Sequence, residues 1–310
     1  EIHSGDWSSD VCSSDLGGGS WTAVNLGLEQ TDVYALAIHP MTTTNLYAGT
    51  DNGVFNSTNG GETWNPAGTG LANLSILDLA IDPLTPSTLY VGSYGGGVFK
   101  STNGGATWRP TNTGLPASNA RARIIDPLEP TTLYVTMYGL PGMGDRGVFK
   151  SADGGENWYP TSTGLPSPSY MPALAINPMT PATLYVGTAT HGVFRSTNGG
   201  ADWHAVNSGL TNTFVAAIVC DPLTLTTLYA GTDRGVFTST DGGGAWGPAN
   251  SGLTNRHIEA LANDPAMPTA LYAATYHDGV YKTANGGASW NRASTGLADN
   301  QVLTLAIDTE

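Results

Sequence analysis

Apolar residues alternate with small or polar ones in short runs along most of the chain. YALAI (Tyr34 to Ile38), LDLAI (Leu77 to Ile81) and PALAI (Pro172 to Ile176) are three of them. A Leu-Tyr pair follows each run, as in Leu46-Tyr47 and Leu89-Tyr90, and a Gly-Val-Phe triplet follows that, as in Gly97 to Phe99. A period of two with β-branched and aromatic residues predicts half-buried strands, and Gly, Asn, Asp and Pro fill the joints between them. No apolar stripe of helical spacing reaches useful length.

The runs belong to a longer repeat. STNGGETW (Ser57 to Trp64), STNGGATW (Ser101 to Trp108), SADGGENW (Ser151 to Trp158), STNGGADW (Ser196 to Trp203), STDGGGAW (Ser239 to Trp246) and TANGGASW (Thr283 to Trp290) recur in register, and GGGSW ends at Trp21 in the same phase. Successive Trp residues stand 43, 44, 50, 45, 43 and 44 positions apart. Four short strands per ~45 residues predict an all-β fold, a β-propeller of four-stranded antiparallel blades. Within each box, Asn59, Asn103, Asp153, Asn198, Asp241 and Asn285 are expected to form an Asx turn, bonding the backbone two residues on. Trp64, Trp108, Trp158, Trp203, Trp246 and Trp290 are expected to fill the gaps between blades. Repetition in nearly every blade assigns these residues to architecture.

These boxes resemble the Asp-box (BNR-type repeat) of sialidases, sortilin-type receptors, xyloglucan-cleaving endoglucanases and a photosystem II assembly factor. The resemblance runs from Gly17 to the C-terminus and implies a propeller. It implies no single function, because these relatives do unrelated things.

Residues 1–16 read differently. SSDV followed by CSSDL repeats itself, and SSDL back-translates to the tail of a sequencing adaptor. We expect 1–16 to be a non-native leader, the mark of a metagenomic fragment, and 17–310 to be a propeller cut at both ends. The alternative is a disordered Ser/Asp leader. Without 1–16 the formal net charge moves from −14 to −10, and Cys220 is left without an intrachain partner. The chain then holds an outer strand near Gly17 to Leu28, six full units and an inner strand at Gln301 to Ile307. The expectation is six complete blades and a partial seventh, with the inner strand left bare. A six-blade ring with loose ends is the other possibility.

Three lysines and an acidic balance disfavour nucleic acid as a partner. The longest apolar run, Phe214 to Cys220, is too short to span a membrane as a helix. Richness in Gly, Thr, Ser and Asn with low charge suggests a secreted, periplasmic or cell-surface bacterial protein. The histidines lack metal-ligand spacing, and neither a metal nor a cofactor is expected.

Function should sit where the blades differ. The third unit carries a long loop between its second and third strands, Met137 to Gly147, which supplies Tyr138 and Arg146. Its inner strand reads RARII, with Arg121 and Arg123 on one side. Arg123 occupies a column held elsewhere by Leu36, Leu79, Leu174, Ile218 and Leu261, a core column in this reading. Either the two arginines form an anion or carboxylate site near the axis, or they pair with a neighbouring acid such as Asp78. Tyr170, Phe214 and His257 share the column that leads into the inner strands and form either an aromatic wall or the lining of a water-filled funnel.

The expected function is non-catalytic binding or scaffolding, with a polypeptide or glycan ligand on the variable face. The alternative is one propeller of a two-propeller glycoside hydrolase. In xyloglucan-cleaving endoglucanases a catalytic Asp follows Tyr-Ala in an Arg-Thr-Asp-x-Gly context, and Tyr47 to Gly53 is similar, which singles out Asp51. Here Gly49 replaces the Arg, and the same string recurs at Gly231 to Gly235. Sialidases converge three arginines on a Tyr and a Glu, which two arginines on one strand do not resemble. Oligomeric state is left open.

Overall fold

The computed structural model describes residues 2–6, 11–14, 17–28, 32–71, 74–116, 119–138, 147–167, 169–297 and 300–308. Every element among them is a strand, and the strands form seven antiparallel sheets of four. Six sheets are the six repeat units in order. The first unit shows the plan: an inner strand Val33–Ile38, then Leu46–Thr50, Gly53–Ser57 and a two-residue outer strand Asn65–Pro66. Inner strands of successive blades pack on one another around the whole ring, and that of the first blade also packs on Val302–Ile307, so the circle closes.

Why these residues stack as blades is visible at each seam. The box Trp residues are 2–6% exposed, and each indole N–H donates to the carbonyl of the residue just after the outer strand of the blade before it. Trp64 Nε1 reaches the Val24 carbonyl at 2.7 Å, Trp203 that of Thr161 at 2.8 Å and Trp290 that of Ala249 at 2.8 Å. The next residue of the seam is the Gly of each Gly-Leu pair. At Gly209 φ is +80°, and a Cβ there would lie 2.2 Å from the Trp246 carbonyl oxygen, so both backbone and space demand glycine. The Tyr of each Leu-Tyr pair crosses the other way: Tyr90 Oη donates to the Gly154 carbonyl in the next blade's box at 3.0 Å.

Inside the box one expectation is corrected. Asn59 Oδ1 accepts from the Thr63 N–H at 3.1 Å, four residues on, rather than two. The N–H two residues on, at Gly61, is already taken by the Ser57 hydroxyl at 2.9 Å, which itself donates to Asn59 Oδ1. Asn103, Asp153, Asn198, Asp241 and Asn285 repeat that four-residue bond.

The seventh sheet corrects the expected two-stranded remnant. Its order is Val302–Ile307, Ile2–Asp6, Val11–Ser14, Thr22–Ala23, so the inner strand is not bare. Ile2 pairs with Ile307 and Ser4 with Leu305. An unpaired row of N–H and C=O groups accepts any extended segment in reach. Val11-Cys12-Ser13-Ser14 also fits the third-strand pattern Val54-Phe55-Asn56-Ser57. Val11 and Cys12 are buried, and Ser14 Oγ accepts from the Gly18 N–H at 3.0 Å, as Ser57 does from Gly61. Trp21 then bonds the Ala293 carbonyl of the sixth blade at 2.7 Å.

Candidate functional site

The box turns lie on one face of the ring. The opposite face gathers the positions that vary, in three columns. The first leads into each inner strand and holds Asp32, Ser75, Asn119, Tyr170, Phe214, His257 and Gln301. The second is the tip after each second strand and holds Asp51, Tyr94, Tyr138, Ala189, Asp233 and Tyr276. A backbone bond ties the two columns together: Tyr94 N–H donates to the Ser75 carbonyl at 2.9 Å, and Tyr276 N–H to that of His257 at 3.0 Å.

The third column comes from a break in the ladder. All inner strands but that of the fourth blade carry a β-bulge near their start: Val33 pairs with Thr50 and Ala35 with Gly49, leaving Tyr34 out, and Ile258 and Ala260 leave out Glu259 in the same way. In the third blade the shift falls between Ala120 and Arg123 and covers Arg121. A bulge re-aims the residue it frees. Here Tyr34, Leu77, Arg121, Glu259 and Leu303 all line one cavity of about 500 Å³ over the axis, with Ser75, Tyr94 and Tyr276. Below it the channel continues past Arg121, Leu174, Ile218, Glu259, Leu261 and Leu305. The column expected to be core is buried at Leu79, Ile218 and Leu261, each within a hydrophobic cluster, and Leu174, Ile218 and Leu261 also border this channel.

Arg121 meets two phenols. Its guanidinium carbon stands 5.5 Å from the Tyr170 ring centroid, and its charge acts on the phenols of both Tyr138 and Tyr170. Those two rings meet edge to face at 5.2 Å. Burial pushes both phenols above the ordinary tyrosine value, and the adjacent Arg121 charge opposes the shift. Asp78 Oδ1 accepts from the Leu79 N–H at 2.8 Å. The side chain of Arg123, and Arg146 altogether, lie outside the described residues.

Three blades round the ring, His257 Nε2 stands 3.2 Å from Glu259 Oε1, and the imidazole stacks on Tyr276 at 5.1 Å. Phe214 meets His257 edge-on at 6.4 Å. The aromatic column thus divides: Tyr170 joins Arg121, while Phe214 and His257 join Tyr276. Asp278 fixes the tip that carries Tyr276. It accepts from Thr254 and Tyr281, and Arg292 Nε lies 3.1 Å from its other oxygen. Burial acts upward on its carboxyl, but these hydrogen bonds and the Arg292 charge hold it below the usual range.

Glu259, Tyr34 and Tyr94 escaped the sequence reading. A signal was present, since aligning the inner strands two positions before the Leu column puts Tyr34, Leu77, Arg121 and Glu259 in one file. Asp51 sits exposed at a hairpin tip, where Thr50 Oγ1 donates to the Gly53 carbonyl at 3.0 Å. Thr232 and Gly235 make the same bond at 2.8 Å, so one repeated hairpin explains both strings. Among the described residues, no three His, Cys, Asp or Glu side chains are grouped to hold a metal ion, and no helix is long and apolar enough to cross a membrane.

A family model described as the DUF6242 beta propeller domain matches residues 3–215. No curated protein sequence matches the chain at a significant level. Among solved structures, the GH74 xyloglucanase from Xanthomonas campestris is similar with a TM-score of 0.79 at 19% identity, over 95% of this chain and 52% of its own. An ancestral GH74 enzyme gives 0.77 at 20%, over 94% and 44%. YCF48 from Cyanidioschyzon merolae gives 0.59 at 15%, over 85% of each chain. A structure of YCF48 bound to D1 peptide gives 0.61 at 14%, over 86% and 82%. The chain thus spans about half the length of these GH74 enzymes. At such identities the likeness is one of fold.

Proposed function

The chain belongs to the family of the DUF6242 beta propeller domain, and we propose that it is a non-catalytic binding platform that seats a polypeptide segment in the cavity over its axis. One observation carries this reading. Side chains that repeat from blade to blade hold the seams, whereas Tyr34, Ser75, Tyr94, Arg121, Glu259 and Tyr276, which differ from blade to blade, line one cavity rich in aromatic rings with a cation in its wall. A rigid scaffold that concentrates its variable residues in one concave place is how loops come to bind. Support by analogy comes from YCF48, a similar propeller solved with a peptide bound.

Arg121 is the handle for a test. Peptides selected on the protein should bind with an affinity that falls by about 1.5–3 kcal/mol in Arg121→Ala, the worth of a charged hydrogen bond. Arg109→Ala, which breaks the exposed pair with Glu156 on the outer edge, serves as the control and should bind normally. Unchanged affinity in Arg121→Ala would return that residue to a structural role. A glycan that binds in place of peptide would change the ligand and keep the platform. Hydrolysis of xyloglucan that is lost in Asp51→Ala would replace the platform by one propeller of a two-propeller glycoside hydrolase.

A further inference from the structure

We infer that the axial cavity is built for a dipolar ligand, an acidic and a basic group joined by a short span of peptide, with the carboxylate on Arg121 and the cation on Glu259. This rests on the binding-platform reading and narrows it to a class of ligand. Arg121 and Glu259 line the same cavity from blades three apart in a ring of seven. Glu259 is the residue its inner strand frees at the bulge, and Arg121 is one of two in the irregular stretch between Ala120 and Arg123, so backbone geometry brings both to the cavity.

Among the described residues no ion pair joins Arg121 to Glu259, though both charges act on the Tyr170 phenol. Arg121 stands over the Tyr170 ring and beside the Tyr138 phenol, neither of which carries a charge. The partner of Glu259 is the His257 imidazole. Two opposite charges are thus held in one recess at a separation their own strands fix. A ligand that satisfies both must carry the complementary pair in the reverse order. The rest of the lining suits the span between them: Leu77 and Leu303 are apolar, and Tyr94 and Tyr276 offer ring faces. Tyr276, stacked on His257, also stands where a cation bound to Glu259 gains from an aromatic face. Size limits the span. A sphere of the cavity's volume is about 10 Å across, and an extended chain advances about 3.5 Å per residue. Acid and base one to three residues apart match that length.

The probe is the capped tripeptide acetyl-Glu-Gly-Lys-amide, titrated calorimetrically into the full chain, with acetyl-Gln-Gly-Gln-amide and cellotetraose as neutral comparisons. The charged peptide should bind at least about tenfold more tightly than the uncharged one. Arg121→Gln and Glu259→Gln should each remove about tenfold. The double reversal, Arg121→Glu with Glu259→Arg, should bind acetyl-Glu-Gly-Lys-amide better than either reversal alone, because the peptide needs only to turn round. Thermal unfolding of each variant checks that the ring is intact, and the two Gln variants carry the test if a reversal unfolds it. Equal binding of charged and uncharged peptides would overturn the inference, as would a double reversal no better than the single ones, or no binding of the charged peptide. If cellotetraose binds, depends on Arg121 and excludes the charged peptide, the platform stands and the dipolar ligand falls.

Discussion

Trp203→Phe and Trp21→Phe are expected to cost the same, because they cut equivalent seams. Trp203 is 2% exposed, and its indole N–H meets the Thr161 carbonyl of the blade before at 2.8 Å. Phenylalanine keeps the six-membered ring and loses the donor and the five-membered ring. A buried carbonyl left unpaired costs about 1–3 kcal/mol. The vacated volume adds about 1 kcal/mol at roughly 24 cal/mol per Å³. The sum is about 2–4 kcal/mol, and truncation to Ala should reach about 3–5 kcal/mol. Against a total of about 5–15 kcal/mol, a loss of this size moves a urea midpoint plainly.

Trp21 makes the same contacts on the other side of the ring: 4% exposed, with its N–H on the Ala293 carbonyl at 2.7 Å. Urea unfolding followed by far-UV circular dichroism at fixed protein concentration compares the two variants. A closed ring predicts equal costs within about 1 kcal/mol. A free energy loss near zero at Trp21, with a full loss at Trp203, would refute closure between the sixth and seventh blades. Near-zero loss at both would refute the assignment of the seams to the box Trp residues.

Removing residues 1–16 should expose the Val302–Ile307 edge, so the shortened chain should self-associate in sedimentation velocity. A stable monomer with unchanged unfolding would show that Ile2–Asp6 and Val11–Ser14 add nothing to the ring, and a long read across the start of the gene would tell whether they belong to it. Gly209→Ala should lose several kcal/mol, since its Cβ would meet the Trp246 carbonyl at 2.2 Å where φ is +80°. A Tm within a degree of the parent would remove that constraint. Burial raises the phenols of Tyr47 and Tyr185 and takes Tyr134 to about 12, above the value each has when unfolded. The unfolded chain therefore releases these protons first. Their contribution is complete below pH ~10 and is lost as pH rises toward 12. Urea midpoints should fall across that interval, and a flat profile would contradict the burial. Burial likewise takes the Cys220 thiol to about 12, so the folded protein should resist alkylation at pH 8.

How much of this was legible in the sequence follows from what repeats. The Trp of each box, the Gly of each Gly-Leu pair and the Tyr of each Leu-Tyr pair recur because every seam poses the same packing problem, and recurrence is visible in text. The propeller, its strand order and the sealing role of Trp64 or Trp203 were readable for that reason. The four-residue bond from Asn59 was not, since two acceptors, the Ser57 hydroxyl and the Asn59 carbonyl, compete for the same N–H groups and only coordinates show which one takes Gly61. The two middle strands of the seventh blade were not read because the repetitive text of residues 1–16 hid a four-residue match, Val11 to Ser14, to a third strand.

The site was half legible, and the missing half has one cause. Alternation along a strand assigns a side to each residue, and a bulge breaks that assignment at one place. Arg121 drew notice as a charge in an apolar run, and Tyr170, Phe214 and His257 drew notice as bulky residues in a column of small ones. Glu259 is flanked by Ile258 and Ala260 in a strand whose acid reads as a solvent-facing position. The bulge turns it to the axis instead, opposite Arg121. The same distortion explains why repetition and function separate so cleanly in this ring. A bulge costs its blade a ladder bond, yet the bulges deliver Tyr34, Leu77, Arg121, Glu259 and Leu303 to the cavity over the axis. Those five side chains help set the contents of the cavity without touching a single seam, so the inward column is free to vary while the boxes stay fixed.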